Sequence, residues 1–537
     1  MSSDTTASLL FELGTEELPA GTLEHMATAL CKGISDGLKA HGLAFEKASW
    51  FATPRRLSAV VMGVTRAAAD SSEQVLGPPA AAAKDKADHW TGAATGFARK
   101  HGITPEDLIL IDTDKGPRLG LQRTVLGAKL TEVAGQVLSD AVAAIPVAKR
   151  MRWGRGRHEF LRPVQWLVAL LDENVIPLEL FGLTADRLTY GHRFHAPDAI
   201  ALRRADDYQA ELRNAWVIAD FKERRQLIRE QVMAIAAADN AVAVISDPLL
   251  NEVTGLVEWP VALKGSFDNE FLAVPAQALI SSMREHQKYF HLLNSDQQLL
   301  PAFIAVSNID SSRPATVVQG NEKVIRPRLS DAAFFFENDK KTTLASRQAR
   351  LNGVVFQHQL GTLADKTQRI SALARWLAET LDADSTVAER GAELAKCDLV
   401  SEMVLEFPDL QGIAGAHYAN HDGEQQGVVE AIEQHYWPKF SGDALPQSKE
   451  AAAVALADRF DTMVGIFGIG QHPSGSKDPF ALRRASVAII RLLIAVDSPV
   501  GLAAIGKQAV TQFAEGVLAS DVTASVCEYT LDRLRAW

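Results

Sequence analysis

The sequence is poor in cysteine. Cys31, Cys397 and Cys527 are the only three in 537 residues, and no CxxC pair occurs. That argues against a disulfide framework and leaves a cysteine-based zinc site unsupported. A secretory leader is also missing. MSSDTTASLLFELGTEELP has no basic segment ahead of a long apolar run, so no signal peptide is expected. No window approaches ~20 apolar residues free of charge, so no membrane span is expected and the cytoplasm is the expected compartment. Positive charge is in deficit: 55 Lys and Arg stand against 66 Asp and Glu, a net charge of −11. Such a balance argues against nucleic-acid binding over the whole surface and would confine it to local basic patches. What is present is an ordinary globular composition, 47% hydrophobic and 23% charged. At roughly 150 residues per domain, the length fits three or four domains.

The pattern changes along the chain. Residues 9–13 (LLFEL) read as a short strand ending at Gly14, followed by a helix from about Gly21 to Ala40. Residues 49–63 read as turn then strand, with Arg55 and Arg56 before the apolar run. Residues 77–87 (GPPAAAAKDKA) read as a linker. A helix over 89–108, a hairpin over 110–126 and an amphipathic helix over 128–144 follow. Residues 158–195 are strand-like, 204–240 helical and 241–310 mixed; from about 328 the helical spacing is nearly continuous. The expected fold class is therefore multidomain α+β, a mixed α/β N-terminal half followed by an all-α remainder. The expected segments are 1–76, an α+β module; 77–150, helical and hairpin; 151–325, mixed α/β; and 326–537, all-α. The last helix, 521–537, carries no Gly, Asn or Pro as a stop, which suggests a chain ending inside something larger.

Three basic clusters stand out. The strongest is Lys149, Arg150, Met151, Arg152, Trp153, Gly154, Arg155, Gly156, Arg157, with five cations and no acid. Phosphate contacts beside an aromatic platform are how proteins hold RNA. The competing reading is a solvated turn whose arginines pair with acidic neighbours. A second cluster is Lys323, Arg326 and Arg328. The third, Lys222, Arg224, Arg225 and Arg229, is interleaved with Glu223 and Glu230 and is expected to be a solvated helix face.

Residues 467–484 (FGIGQHPSGSKDPFALRR) have Walker-like glycine spacing without the Gly-Lys-Ser/Thr that a phosphate loop needs. The local reading is a loop ended by Asp478-Pro479 at a helix N-terminus, open to a phosphate with help from Lys477, Arg483 and Arg484. His417 and His421 lie four apart and share one helix face. The His421-Asp422 dipeptide, with Asp458 or Asp461 downstream, resembles the metal site of HD-type phosphohydrolases. That site needs an earlier histidine, for which the nearest candidate is His358. The competing reading is a structural histidine pair.

No HIGH or KMSKS sequence, no convincing set of class II synthetase motifs, and no GxSxG, HExxH or GxGxxG in context appears. The chain thus lacks a self-contained site for common chemistry, and no catalytic residue is assigned.

Several blocks together closely resemble the β subunit of the heterotetrameric glycyl-tRNA synthetase. They are FELGTEELPAG (11–21), WFATPRRL (50–57), RWGRG (152–156), YGHRF (190–194), VEWPVALKG (257–265), FLAVPAQALISSMREHQKYF (271–290), GNEKVIRPRLSDAAFFFENDKK (320–341), LGTLADK (360–366), HYANHDGE (417–424) and GIFGIGQHPSGSKDPFALRRA (465–485). The resemblance implies an α2β2 assembly. A separate α subunit would carry the class II core and bind ATP and Mg as substrates of the holoenzyme. The β subunit would bind tRNA(Gly) and be needed for transfer of glycine to its 3′ end. It also implies that the all-α region is an HD-like domain, and that a helical anticodon-binding domain would follow where this chain stops, at Trp537. On this reading the expected tRNA contacts are Arg150, Arg152, Arg155 and Arg157, then Lys323, Arg326 and Arg328, with Lys477, Arg483 and Arg484 behind them. Trp153 would stack on a base or anchor its loop, and the anchor is favoured. The low-ranked metal candidates are His417, His421, Asp422, Asp458 and Asp461. Two rivals remain: a metal-dependent HD phosphohydrolase, and a scaffold whose basic patches bind only protein.

Overall fold

The computed structural model describes residues 5–85, 89–114, 116–475 and 477–536. The chain divides into two compact units. The first ends at Lys264 and takes back Ile304–Val317; the second comprises Gly265–Phe303 and the chain from Val318 onward.

The first unit is built on β1 (Thr6–Thr15), α1 (Leu23–Ala40), β2 (Lys47–Thr53) and β3 (Arg56–Thr65). A small three-stranded layer follows, from β4 (Ser71–Pro79), α2 (Gly92–Lys100), β5 (Ile109–Ile111) and β6 (Arg118–Val125). Then come α3 (Leu130–Ala143), the short pair β7 (Met151–Arg152) and β8 (Glu159–Phe160), and β9 (Val164–Leu171) with β10 (Asn174–Val175). The main sheet has the order β10-β9-β1-β3-β2. Its central strand β1 is antiparallel to both neighbours, Leu10 lying opposite Val60 of β3 and Leu170 of β9.

A core on each face of the sheet explains why β1 is buried almost throughout. Leu9, Phe11 and Leu13 point into a core with Met26, Leu30 and Ile34 of α1 and Val137 and Leu138 of α3. Leu10 faces the opposite core with Val168 and the helix α4 (Tyr208–Asn214). Two further helices, α5 (Phe221–Ala238) and α6 (Asp247–Leu256), also belong to this unit. Asp220 caps α5, accepting the backbone N–H groups of Lys222 and Glu223.

In the second unit the helices are α7 (Ala276–Ser281), α8 (Pro314–Asp339, begun in the first unit), α9 (Leu363–Thr380), α10 (Ser385–Leu394), α11 (Glu402–Glu406) and α12 (Ile413–His421). They continue as α13 (Gln426–Gln434), α14 (Lys449–Gly468), α15 (Leu482–Ala495), α16 (Leu502–Val510) and α17 (Val522–Ala536). The hub is α14, buried on nearly every side. Its run of Ala451, Ala452, Ala453, Ala455 and Ala457 combines high helix propensity with a narrow girth, so neighbouring helices pack close around it.

The segments expected from sequence divide the chain differently. β9 and β10 pair into the sheet begun by β1, so residues 1–76 do not close a core alone. Gly77–Pro79, expected to open a linker, instead end β4. β4 is an edge strand, where a proline's missing N–H leaves no ladder bond unmade. Lys86 and Ala87 of that expected linker lie outside the described residues. The break at 325/326 falls inside the continuous helix α8. The C-terminal region is helical as expected, apart from a short hairpin pairing Val355–Gln357 with Gly361–Thr362. Among the described residues no helix is long and apolar enough to cross a membrane.

Candidate nucleic-acid interface

The 149–157 cluster lies on the β7–β8 hairpin. Met151 pairs with Phe160 and Arg152 with Glu159, and Gly154 takes the turn at φ 61°, a conformation that favours glycine. Trp153 is half-buried, its ring 6.0 Å from that of Phe181, which in turn lies 5.6 Å from Phe160. The indole therefore anchors the hairpin to the core. Arg152 pairs with Glu159 at 2.5 Å. Lys149, Arg150, Arg155 and Arg157 are exposed, and no carboxylate pairs with them among the described residues.

The second cluster fares differently. Lys323, Arg326 and Arg328 sit on α8, but Arg326 lies 2.5 Å from Asp268 and Arg328 3.7 Å from Glu406. Only Lys323 stays exposed without a carboxylate among the described residues. The third cluster corrects its expectation. Arg224 is fully buried and donates to the carbonyls of Thr254 (3.1 Å) and Ala52 (2.7 Å) and to that of Ile218. Burial lowers its pKa to about 10, and the surrounding carbonyls satisfy it. Arg225 and Arg229 share Asp247.

The helix end after residue 477 is already filled. Asp478 accepts the backbone N–H groups of Leu482 (2.8 Å) and Arg483 (3.0 Å), the first residues of α15. An anion there would compete with a built-in carboxylate, which corrects the expectation of an open phosphate seat. Pro479 precedes α15 and is not its first residue. Arg483 donates to the Gly475 carbonyl, Arg483 and Arg484 line a neighbouring cavity, and Lys477 lies on the turn before α15, bridged to Ser474.

The metal candidates do not converge. His421 is exposed at the end of α12, His417 packs edge-on against Phe336, and Asp422 accepts the backbone N–H of Leu344 at 2.6 Å. His358 is exposed in the hairpin turn. Asp458 and Asp461 do come together on α14, but with cations. The Lys366 ammonium lies 3.0 Å from Asp458 and 2.9 Å from Asp461, Lys396 lies 2.9 Å from Asp458, and Arg369 lies 2.6 Å from Asp461. Asp458 Oδ1 accepts no directed hydrogen bond and meets only the Lys366 charge. Burial opposes its ionisation, yet Lys366 and Lys396 hold its pKa well below the usual carboxylate range.

His435 completes the cluster. Its Nδ1–H donates to the Ile432 carbonyl (2.7 Å), and its Nε2 accepts from Lys396 (2.9 Å). Burial, then the Lys396 charge, holds this imidazole neutral, its pKa well below the ordinary value. A divalent ion beside Asp458 would have to displace two ammonium groups. Among the described residues, no three His, Cys, Asp or Glu are grouped to hold a metal ion. The decisive lysines, Lys366 in LGTLADK and Lys396 in LAKCDL, each stand close to an acid in the sequence, so nothing local marks them as buried.

Comparison with known proteins settles the family. A family profile described as "Glycyl-tRNA synthetase beta subunit" matches residues 9–537. The chain belongs to that family. It is 52% identical to the glycine–tRNA ligase β subunit of Chromohalobacter salexigens over 529 residues, covering 98% of this chain and 77% of that protein. It is 47% identical to the β subunits of Marinobacter nauticus (99% of this chain, 77% of that protein) and Hahella chejuensis (98% and 76%). The chain is thus a subunit of an aminoacyl-tRNA ligase.

In this β-subunit chain, four blocks far apart in sequence meet in one buried network, which sequence reasoning missed. Glu12, from the first block, accepts from Trp166 Nε1 (2.5 Å), Thr189 Oγ1 (2.6 Å) and the Tyr208 hydroxyl. Arg56 lies 3.6 Å from Glu12 and 3.0 Å from Glu258. Arg55 reaches Glu258 at 3.0 Å and the Gly191 carbonyl at 2.7 Å. Burial works against the Glu258 carboxylate, and Arg56 and Arg55 nevertheless hold it at about 2. Next to it, His192 Nε2–H donates to Asn308 O (2.6 Å), while Nδ1 accepts the N–H groups of Phe194 and His195. Burial lowers the pKa of that imidazole. A closed network of this kind fixes the relative placement of β1, β3, β9, α4 and the segment that carries Glu258. The available signal was Glu12 itself, an acid in the middle of an apolar strand.

Proposed function

We propose that this chain is the tRNA-binding, non-adenylating half of glycine–tRNA ligase, acting with a separate α subunit that holds glycine, ATP and Mg2+. The observation that carries this reading is the hairpin at 149–157. Four cations stand there without carboxylates among the described residues, at a strand pair anchored by Trp153, in a chain of net charge −11. An acidic body repels RNA in general and a held basic projection admits it locally, which favours shape-specific over indiscriminate binding. The helices around Asp458 are read as an HD-like scaffold whose metal seat carries lysine ammonium groups, which disfavours the phosphohydrolase alternative.

The test is tRNA-dependent glycine attachment with the α subunit, comparing the wild-type chain with Arg150→Glu/Arg155→Glu/Arg157→Glu. Glycyl-adenylate formation should be unaffected, while transfer to tRNA and tRNA affinity fall together. Equal tRNA affinity of the two chains over a salt series would overturn the hairpin assignment. Loss of α-subunit capture with RNA binding intact would favour the protein-scaffold reading.

A further inference from the structure

A cavity of about 180 Å³ opens between the segment 438–441 and α15. Its floor is apolar, formed by Pro438, Val487 and Ala488. Four cations surround it, Lys439, Arg483, Arg484 and Arg491, and among the described residues no carboxylate lines it. Phe440 forms one wall and is 64% exposed as a residue.

This wall is held in place. The Arg459 guanidinium donates to the carbonyls of His435 (2.8 Å), Tyr436 (2.9 Å) and Pro438 (3.2 Å). Arg491 donates to the carbonyls of Asp443 (2.7 Å) and Phe440 (3.4 Å). Asp443, the acid nearest along the segment, is used within it, its carboxylate accepting the backbone N–H groups of Lys439 (2.6 Å) and Ala444 (2.9 Å). Arg484 is exposed and pairs with no carboxylate among the described residues. Arg483 donates to the Gly475 carbonyl, so the guanidinium with no partner among the described residues is that of Arg484. An apolar ring turned toward water beside such a guanidinium is a stacking platform with a phosphate contact at its edge.

We infer that this cavity seats one unpaired RNA nucleotide, its base stacked on Phe440 over the Pro438 and Val487 floor and its phosphate met by Arg484 and Lys439. The inference rests on the tRNA-binding reading above and deepens it. A base and its phosphate satisfy the ring and the cations within a single residue. The concave shape excludes a paired helix but admits one unstacked base.

The experiment measures binding of labelled tRNA(Gly) and of a six-nucleotide oligoadenylate to the wild-type chain, Phe440→Ala, Phe440→Tyr and Arg484→Gln. The hairpin variant above serves as reference. Phe440 is a surface side chain, so an unchanged thermal midpoint is expected to accompany Phe440→Ala. That substitution should weaken both ligands roughly 5- to 150-fold, the range for one lost base stack, without changing the salt slope. Phe440→Tyr should retain affinity. Arg484→Gln should make the oligoadenylate slope shallower by about 0.7, as for one phosphate contact on a single strand. If Phe440→Ala binds like wild type while the hairpin variant is weakened, the cavity inference fails and the tRNA-binding reading stands. If the wild-type chain binds neither RNA, both fail. If Phe440→Ala loses capture of the α subunit but not of oligoadenylate, the cavity is a protein seat and the inference is overturned.

Discussion

The segments Lys149–Arg157 and Lys323–Arg328 look alike in composition and end in opposite electrostatic states. On the hairpin, one arginine of four is claimed by a carboxylate and the rest face water. On α8, both arginines are claimed, by Asp268 and Glu406, which lie 58 and 78 residues away in sequence. What separates the two is the company the fold brings to each cation. A positive charge that meets a carboxylate within the fold has less to offer a phosphate. The same rule reaches its limit in the interior, where Arg56 and Lys366 are wholly committed to buried acids.

The largest expected effect therefore lies where commitment is complete. Arg56→Met would leave Glu12 and Glu258 buried without their shared cation, and Lys366→Met would do the same to Asp458 and Asp461. Each should cost about 3–5 kcal/mol, the usual penalty for stranding a buried charge. Chemical denaturation of the two variants would measure it. A loss under about 1 kcal/mol would mean that the remaining partners satisfy these acids alone, against the pairing argument.

Next in size is the free extreme. Reversing Arg150, Arg155 and Arg157 should weaken tRNA binding about tenfold or more at moderate salt and flatten the salt slope by about 0.7–0.9 per lost phosphate contact. Stability should stay within about 0.5 kcal/mol, since surface positions without partners contribute little. A variant that binds normally but unfolds readily would invert the comparison.

An intermediate effect follows from the imidazoles. Burial and the Lys396 charge hold His435 well below its ordinary 6.5, and burial takes His291 to about 4. The folded histidines resist a proton that the unfolded chain accepts near 6.5. Their stabilisation is therefore present above that pH and is lost as pH falls below it, on the order of 1 kcal/mol per histidine at pH 5.5. Asp398, raised by burial to about 6, opposes this. It binds a proton in the folded state that the unfolded carboxyl releases, so it adds stability as pH falls from about 6 toward 3.8. His192 and His417, lowered by burial, add to the histidine side, and Glu433, raised by burial, to that of Asp398; the four histidines predict a net fall in thermal midpoint between pH 7 and 5.5. His435→Gln should make that fall shallower, and an identical pH profile would show that His435 is not the group responsible.

Local elements were legible because local rules govern them. The spacing in residues 21–40 and 128–144 produced α1 and α3 nearly to the residue, and the turn signals near 114–117 produced the β5–β6 pair. The expected 325/326 break and the 317/318 division of the two compact units both fall inside α8, whose helical periodicity carries no boundary signal. The sheet was hidden because β9 joins β1 across about 150 residues, a pairing that no local signal encodes. At the site, the basic hairpin was visible as composition and Trp153 as its anchor. The commitment of Arg326, Arg328 and Arg224 was not, since their partners are carboxylates and carbonyls brought in from elsewhere. The His-Asp dipeptide misled for the same reason. Asp422 is spent on the Leu344 N–H, and the acids on α14 were met by lysines that no metal motif contains.

The smallest effect is also the sharpest test of the comparison. Asp268→Asn removes the carboxylate from Arg326 while leaving its shape, and converts a claimed arginine into a free one on an exposed helix face. The pair is 60% and 44% exposed, so the stability change should stay below about 1 kcal/mol. If pairing is what separates α8 from the hairpin, tRNA binding should tighten slightly and the salt slope should steepen by up to about 0.9, one additional phosphate contact. The double variant Asp268→Asn/Arg326→Gln should return the slope to its original value, which ties the gain to this guanidinium. An unchanged slope in the single variant would place α8 outside the RNA footprint, so that position in the fold, and not pairing, distinguishes the two segments.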